Sequence, residues 1–91
     1  MGEGARHVRV TGHVQGVFYR AWAQAQAREL GISGWVRNCP DGSVEAHVQG
    51  DEGSVGRMVE RMRAGPANAR VDDIDVESAA LDSGGRFELR R

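Results

Sequence analysis

The centre of this chain is residues 32–49, ISGWVRNCPDGSVEAHVQ, a pattern of two strands joined by a tight turn. Apolar residues occupy every second position of 43–49, which is the period of a strand with one buried face. Pro-Asp-Gly at 40–42 predicts the turn, because proline presets φ, aspartate binds nearby backbone and glycine adopts positive φ. The segment therefore predicts a β-hairpin with strands at 32–38 and 43–49.

An amphipathic helix is predicted on each side of this hairpin. Residues 20–30 are rich in alanine, the best helix former, and their apolar positions repeat every three or four residues. Gly31 follows where a left-handed residue ends many helices. Residues 55–62 carry a second apolar stripe, with Asp51 as a candidate N-cap and Gly65-Pro66 as the stop.

Strands are also predicted at the outer ends of the chain. Residues 6–11 alternate, 71–76 suggest a fourth strand, and 87–89 a short fifth strand after a turn at 83–85. The order β-α-β-β-α-β plus a terminal strand predicts an α+β, ferredoxin-like split βαβ sandwich. We expect an antiparallel sheet with two helices on one face. The chain is short enough for one domain over residues 1–91, with 1–5 as a flexible N-terminus.

Composition narrows the classes of partner. The formal net charge is -1 and basic residues are not clustered, which argues against a nucleic-acid partner. The chain has one cysteine, Cys39, so an internal disulfide framework is excluded. It has no leader-like N-terminus and no apolar run near the ~18 residues that span a membrane. We therefore expect a cytoplasmic monomer with no nucleic-acid and no membrane partner.

The loop before the first helix, HVQGVFYR at residues 13–20, has a composition that predicts an anion site. Gly16 permits positive φ, so successive backbone N–H groups can form a concave nest beside a helix N-terminus. Arg20 stands at that junction and can grip two oxygens of one phosphate. On these residues alone, a tight connection with a solvated Arg20 remains the alternative. The apolar side chains expected to pack the loop onto the protein are Val14, Val17 and Phe18.

Two motifs in order resemble the signature patterns of the acylphosphatase family. They are TGHVQGVFYR at 11–20 and G-W-V-R-N-x-x-x-G-x-V-x-x-x-x-x-G at 34–50, with Tyr19 where the family usually has phenylalanine. The resemblance covers nearly the whole chain. It implies a small ferredoxin-like enzyme that hydrolyses the carboxyl–phosphate bond of acyl phosphates. It also implies that Arg20 binds the phosphate and that Asn38 orients the attacking water.

The chemistry of an acyl phosphate suits these residues. Its leaving group is a carboxylate, which departs without a proton, so no general acid is needed. Phosphoryl transfer rewards positioning and charge stabilisation. The carboxylates are scattered and no cluster has ligand spacing, so we expect no metal and no cofactor. The residues expected to bind the substrate phosphate, largely through backbone N–H groups of the 14–20 loop, are Gln15, Gly16, Val17, Phe18, Tyr19 and Arg20.

Other readings of single residues stay open. Without the resemblance, Asn38 is better explained as a residue that ends a strand before a turn. His13 is a candidate base, although a surface position is the simpler expectation. Cys39, beside Asn38, is expected to be a plain small side chain. By strand alternation Arg37 points away from Asn38 into solvent, and Trp22 and Trp35 are expected to pack.

Two other functions compete with hydrolysis. A non-catalytic module could use the same loop to bind a phosphorylated ligand or a partner protein, as similar domains within larger carbamoyl-transferring proteins suggest. An RNA-recognition domain of this topology would stack bases on aromatic residues of its central strands. That reading fits poorly, because the open face is expected to carry His7, Arg9, Glu45 and His47.

Overall fold

The computed structural model describes residues 2–82 and 85–91. The elements follow in the order β1 (Glu3–His13), α1 (Tyr19–Leu30), β2 (Ser33–Asn38), β3 (Val44–Asp51), α2 (Glu52–Ala64), β4 (Arg70–Ser78) and β5 (Phe87–Leu89). This confirms the predicted order, including the short terminal strand. Ser83 and Gly84 of the turn predicted at 83–85 lie outside the described residues.

The strands form one sheet in the order β4-β1-β3-β2-β5. β1, β2, β3 and β4 pair antiparallel, as expected, but β5 runs parallel to β2, so the sheet is mixed. The expectation of a wholly antiparallel sheet is wrong at this edge. The reason is geometric: β4 is antiparallel to β2, and the chain reverses direction after β4, so it must reach β2 in the parallel sense.

The hydrophobic core lies between the sheet and the two helices. Alternate residues of β1 and β3 face it, and Val8, Val10 and Val44 are completely buried. From α2, Met58 and Met62 are completely buried, and each contributes about 1.5–3 kcal/mol by leaving water. The helical residues that complete the core are Tyr19, Ala23, Ala27 and Val55. The stripes read from the sequence therefore face the sheet, which leaves its other face free of helices.

The N-terminal strand is longer than predicted at both ends. β1 begins at Glu3 rather than at residue 6, and residues 3–5 pair with residues 49–51 of β3. Ala5 is buried at 3% exposure. The expectation of a flexible segment 1–5 is therefore wrong for residues 3–5, because β3 extends to Asp51 and offers backbone partners to satisfy them.

The helix ends follow the predicted residues. Gly31 ends α1 in the left-handed conformation at φ 70°. Asp51 caps α2, and its side chain accepts from the backbone N–H groups of Gly53 and Ser54. In the parts of the chain that the structure describes, neither helix combines the length and the apolar character that crossing a membrane requires.

Candidate active site

The connection from β1 to α1, residues 14–18, has an unusual backbone. A register shift between Thr11 and Gly12 interrupts the pairing of β1 with β4 just before it, as bulges often do beside functional sites. Gly16 has φ 75°, and an added Cβ there would meet nothing within 4 Å. Phe18 has φ 61° and is the one non-glycine residue with positive φ among residues 2–82 and 85–91. That conformation costs about 1–2 kcal/mol for a residue with a side chain.

Seven consecutive backbone N–H groups at this connection lack an internal acceptor. From Gln15 to Ala21, none donates to a protein acceptor in the described part of the chain, and the first bond of the helix is Trp22 N–H to Phe18 O at 3.0 Å. The N-cap Phe18 provides no side-chain hydrogen bond, and no acidic residue lies in the first turn. The partial positive charge of the helix N-terminus is therefore open to an external anion.

The apolar residues of the loop divide between core and solvent. Val14 is 1% exposed and Val17 packs partly against the core. The prediction that Phe18 also packs onto the protein is wrong: it is 82% exposed. Its left-handed backbone turns it away, and Tyr19 takes the inward place at 1% exposure.

Tyr19 is a structural residue in its side chain. Its hydroxyl donates to Met62 O at 2.6 Å, which links the start of α1 to the end of α2. Burial raises the pKa of Tyr19 above its ordinary range, so the phenol stays protonated and keeps donating. Of the groups on Tyr19, only the backbone N–H is available to the loop.

Gln15 fastens the loop to the turn that follows Asn38. Its Nε2 donates to Cys39 O and to Ser43 O, both at 2.8 Å. Each carbonyl also accepts a backbone bond within the turn, from Gly42 N–H at 3.1 Å and from Cys39 N–H at 2.8 Å respectively. The sequence predicted only that Gln15 would offer its backbone N–H to a ligand. The role of its side chain in fastening the loop was missed.

Arg20 and Asn38 line the same cleft. Its volume is about 430 Å³, and its lining residues are Val14, Gly16, Phe18, Tyr19, Arg20, Ala21, Asn38 and Leu89. Arg20 is not simply solvated, since its Nη1 donates to Arg90 O at 2.6 Å. A second opening is shared by Arg20, Asn38, Leu89 and Arg91. The two predicted catalytic residues, 18 positions apart in sequence, are thus brought to one place because α1 packs against β2.

β5 contributes a wall that sequence reasoning missed. Leu89 lies beside Arg20 in the cleft, and Arg90 N–H donates to Val36 O at 2.8 Å, which holds this end of the chain against β2. The guanidinium of Arg90 lies 5.0 Å from the ring centre of Trp35. Two alternating apolar residues, Phe87 and Leu89, indicated the strand, but nothing in the pattern indicated which edge it joins.

The helix-free face of the sheet carries a paired charge cluster rather than an open site. Glu45 is 8% exposed and contacts His7 Nε2 at 2.7 Å and Arg37 Nε. Burial raises the pKa of Glu45, but the hydrogen bonds from His7 and Arg37 outweigh it and hold that pKa below its ordinary value. The expectation of a solvated Arg37 is confirmed, since its side chain is 48% exposed, and its Nε also donates to Glu45. His47 on the same face is 9% exposed.

The remaining candidates lie apart from the cleft. His13 is exposed at the end of β1, opposite Arg70. The thiol residue Cys39 is 8% exposed. Trp22 packs on Tyr19 with ring centres 5.3 Å apart, and Trp35 stacks on His47 at 6.4 Å. Over residues 2–82 and 85–91, no three His, Cys, Asp or Glu side chains are grouped as metal ligands would be.

Known proteins resemble this chain over nearly its whole length. The sequence profile of the family described as Acylphosphatase matches residues 6–89. The Acylphosphatase of Alcanivorax borkumensis is 50% identical over 80 residues, which are 88% of this chain and 87% of that protein. An acylphosphatase structure from Coxiella burnetii has a TM-score of 0.93 and 35% identity, over 97% of this chain and 93% of that one.

The same fold also occurs inside a much larger protein. A structure of full-length HypF matches with a TM-score of 0.88 over 99% of this chain but only 12% of its own length. At 20% identity this likeness concerns the fold alone.

Proposed function

The chain belongs to the acylphosphatase family, and on that premise we propose that it hydrolyses the carboxyl–phosphate bond of acyl phosphates at the cleft of Arg20 and Asn38. The products are a carboxylate and inorganic phosphate. The observation that carries the proposal is the run of backbone N–H groups from Gln15 to Ala21 without protein acceptors, beside Arg20. This arrangement supports binding of one tetrahedral dianion.

The phosphate is held by these N–H groups and by the guanidinium of Arg20. In a loose transition state, charge spreads over the three equatorial oxygens, and donors fixed in advance stabilise it without reorganising. Gln15, Gly16, Val17, Phe18 and Tyr19 act here through their backbone. Only Nη1 of Arg20 donates to Arg90 O, so the other guanidinium nitrogens can donate to phosphate oxygens.

Asn38 orients the attacking water through its side-chain amide. It stands at the last position of β2 and shares both openings of the cleft with Arg20. An amide does not remove the proton of the water, so that proton passes to the phosphate of the substrate. The carboxylate leaves without protonation, so the reaction needs no general acid. The loop N–H groups and the Arg20 guanidinium supply the charge stabilisation that a metal ion would otherwise provide.

The test is release of inorganic phosphate from benzoyl phosphate by the full chain in the presence of excess EDTA. We expect multiple turnovers, with inorganic phosphate as a competitive inhibitor because it occupies the same N–H groups. Binding of inorganic phosphate without turnover of benzoyl or acetyl phosphate would contradict hydrolysis and favour a non-catalytic phosphate-binding module. Loss of activity in EDTA that Mg²⁺ or Zn²⁺ restores would contradict the metal-free reaction.

We also propose that the protein acts as a cytoplasmic monomer without a nucleic-acid partner, in one domain spanning residues 1–91. The edge strand β4 carries Asp72, Asp73 and Asp75, and like charges at a sheet edge oppose pairing with a second copy. The unpaired, buried Cys39 fits a reducing compartment. Light scattering after gel filtration, with and without RNA, tests the monomer and the absence of a nucleic-acid complex.

A further inference from the structure

Two large apolar side chains are exposed at the cleft itself. Phe18 is 82% exposed and Leu89 is 38% exposed, and both line the cleft that contains Arg20 and Asn38. They come from different elements, Phe18 from the N-cap of α1 and Leu89 from β5. Neither offers a polar side-chain atom to a phosphate.

The side chain of Phe18 does not stabilise the fold. Its side chain gives almost no buried area, and its left-handed backbone at φ 61° is strained for a residue with a Cβ. At a helix N-cap, Ser, Thr, Asp, Asn and Gly are preferred and a large apolar residue is not. Strain at a residue that adds nothing to the core points to a ligand that the residue contacts.

We propose that Phe18 and Leu89 form a subsite for the acyl group of the substrate, and that it selects aromatic or branched aliphatic acyl groups over acetyl. The inference rests on the proposed hydrolysis at this cleft. In an acyl phosphate the acyl carbon is one bridging oxygen away from phosphorus. A phosphate bound to the loop N–H groups and Arg20 therefore leaves its acyl group within the same cleft, where the apolar walls are these two residues.

The Leu89 wall is fixed in place. Leu89 borders both openings of the cleft, and the next residue, Arg90, bonds the backbone of β2 and accepts from Arg20. Each carbon of an acyl group that leaves water against this apolar wall strengthens binding. A methyl group, as in acetyl phosphate, buries less apolar area against these two residues than a phenyl group does.

The experiment compares kcat/KM for benzoyl phosphate and acetyl phosphate, which share the phosphate end. Phe18→Gly keeps a residue that tolerates the left-handed conformation and adds no side chain that could cap the helix, and Leu89→Ala shortens the other wall. We expect each change to lower the benzoyl-to-acetyl ratio about tenfold, the equivalent of losing part of one buried apolar side chain. Inhibition by inorganic phosphate should stay within about twofold of wild type. Val76→Ala is the matched control, because Val76 is also 38% exposed on an edge strand but lies outside the cleft.

A binding measurement separates failure of this subsite from failure of hydrolysis. Benzoylphosphonate and acetylphosphonate have a direct carbon–phosphorus bond in place of the bridging oxygen of the mixed anhydride, so calorimetry reads their affinities without turnover. Tighter binding of the benzoyl compound, reduced in both variants, supports the subsite even if no acyl phosphate is hydrolysed. An unchanged ratio in both variants overturns it. Equal losses for both phosphonates and for inorganic phosphate also overturn it, since the residues would then only shape the loop.

Discussion

The two helices of this protein begin in opposite ways. The N-terminus of α2 is closed by its own chain: the carboxylate of Asp51 accepts from Gly53 N–H at 3.0 Å and from Ser54 N–H at 3.3 Å, and Glu52 lies in the first turn. The N-terminus of α1 has Phe18 as its cap, no side-chain bond and no acidic residue in the first turn. The helices have similar lengths, 13 and 12 residues, and pack on the same sheet.

The unequal N-termini of the two helices indicate where an anion binds. A good N-cap adds about 1 kcal/mol to the free energy of unfolding, and Asp51 provides this stabilisation for α2. α1 forgoes it and adds the strain of Phe18, while Arg20 stands in its first turn, where a positive charge is unfavourable to the helix dipole. All three features disfavour the free protein. A bound phosphate offsets two of them, because it accepts from the free N–H groups and pairs with Arg20. Substitutions near either N-terminus test whether α1 serves the substrate and α2 serves stability.

Removing the guanidinium of Arg20 should lower activity more than any other substitution proposed. For Arg20→Gln we expect kcat/KM for benzoyl phosphate to fall by about 10³-fold or more, because one charge that faces the transferring phosphoryl group is lost. Competitive inhibition by inorganic phosphate should weaken in parallel. Arg28→Gln is the control, as Arg28 lies exposed on the same helix. Equal activity of the two variants would refute the role of Arg20.

Changing the residue across the cleft should separate turnover from binding. For Asn38→Ala we expect kcat to fall by about 10²-fold because the water is no longer held in line, whereas inorganic phosphate should inhibit as in wild type. Steady-state kinetics with product inhibition gives both quantities. Asn68→Ala, in the exposed turn before β4, serves as the comparison. An undiminished kcat in Asn38→Ala would show that Asn38 does not orient the water.

Cutting the link between the loop and the turn should have a moderate effect. For Gln15→Ala we expect kcat to fall by about tenfold, since the N–H groups and Asn38 lose their fixed separation. The free energy of unfolding should fall by only about 1–2 kcal/mol, because both carbonyls keep a backbone donor. Gln49→Ala removes a comparable pair of bonds away from the cleft, in which Nε2 donates to Asp82 O and Oε1 accepts from Asp82 N–H, both at 2.6 Å. A similar kcat loss in both variants would mean that the effect is general destabilisation.

The smallest effect should come from opening the closed helix. For Asp51→Ala we expect the free energy of unfolding to fall by about 1 kcal/mol in urea, while kcat and KM for benzoyl phosphate stay unchanged. Asp51→Asn should recover most of the loss, because an amide oxygen accepts the same bonds. A change in kcat as large as that of the loop variants would contradict the view that the N-terminus of α2 serves only stability.

Local sequence patterns were enough to predict the strands and helices and the loop that leads into α1. The alternation of 43–49, the stripe of 55–62 and the cap at Asp51 depend on residues close in sequence, and the structure agrees with them. The motif at 11–20 placed Gly16 and Arg20 beside a helix start for the same reason. The outward turn of Phe18 was missed, because an apolar residue beside a core was assumed to pack.

By itself, therefore, the sequence determined the order of strands and helices and the open N-terminus of α1, since turn residues, caps and periodicity act over a few neighbouring residues. Only the tertiary structure decided how the site is assembled. Gln15 reaches carbonyls 24 and 28 positions away, and Arg20 reaches one 70 positions away. β5 became a parallel edge strand that brings Leu89 to the cleft. Such contacts depend on how whole elements pack in space, which no local pattern specifies.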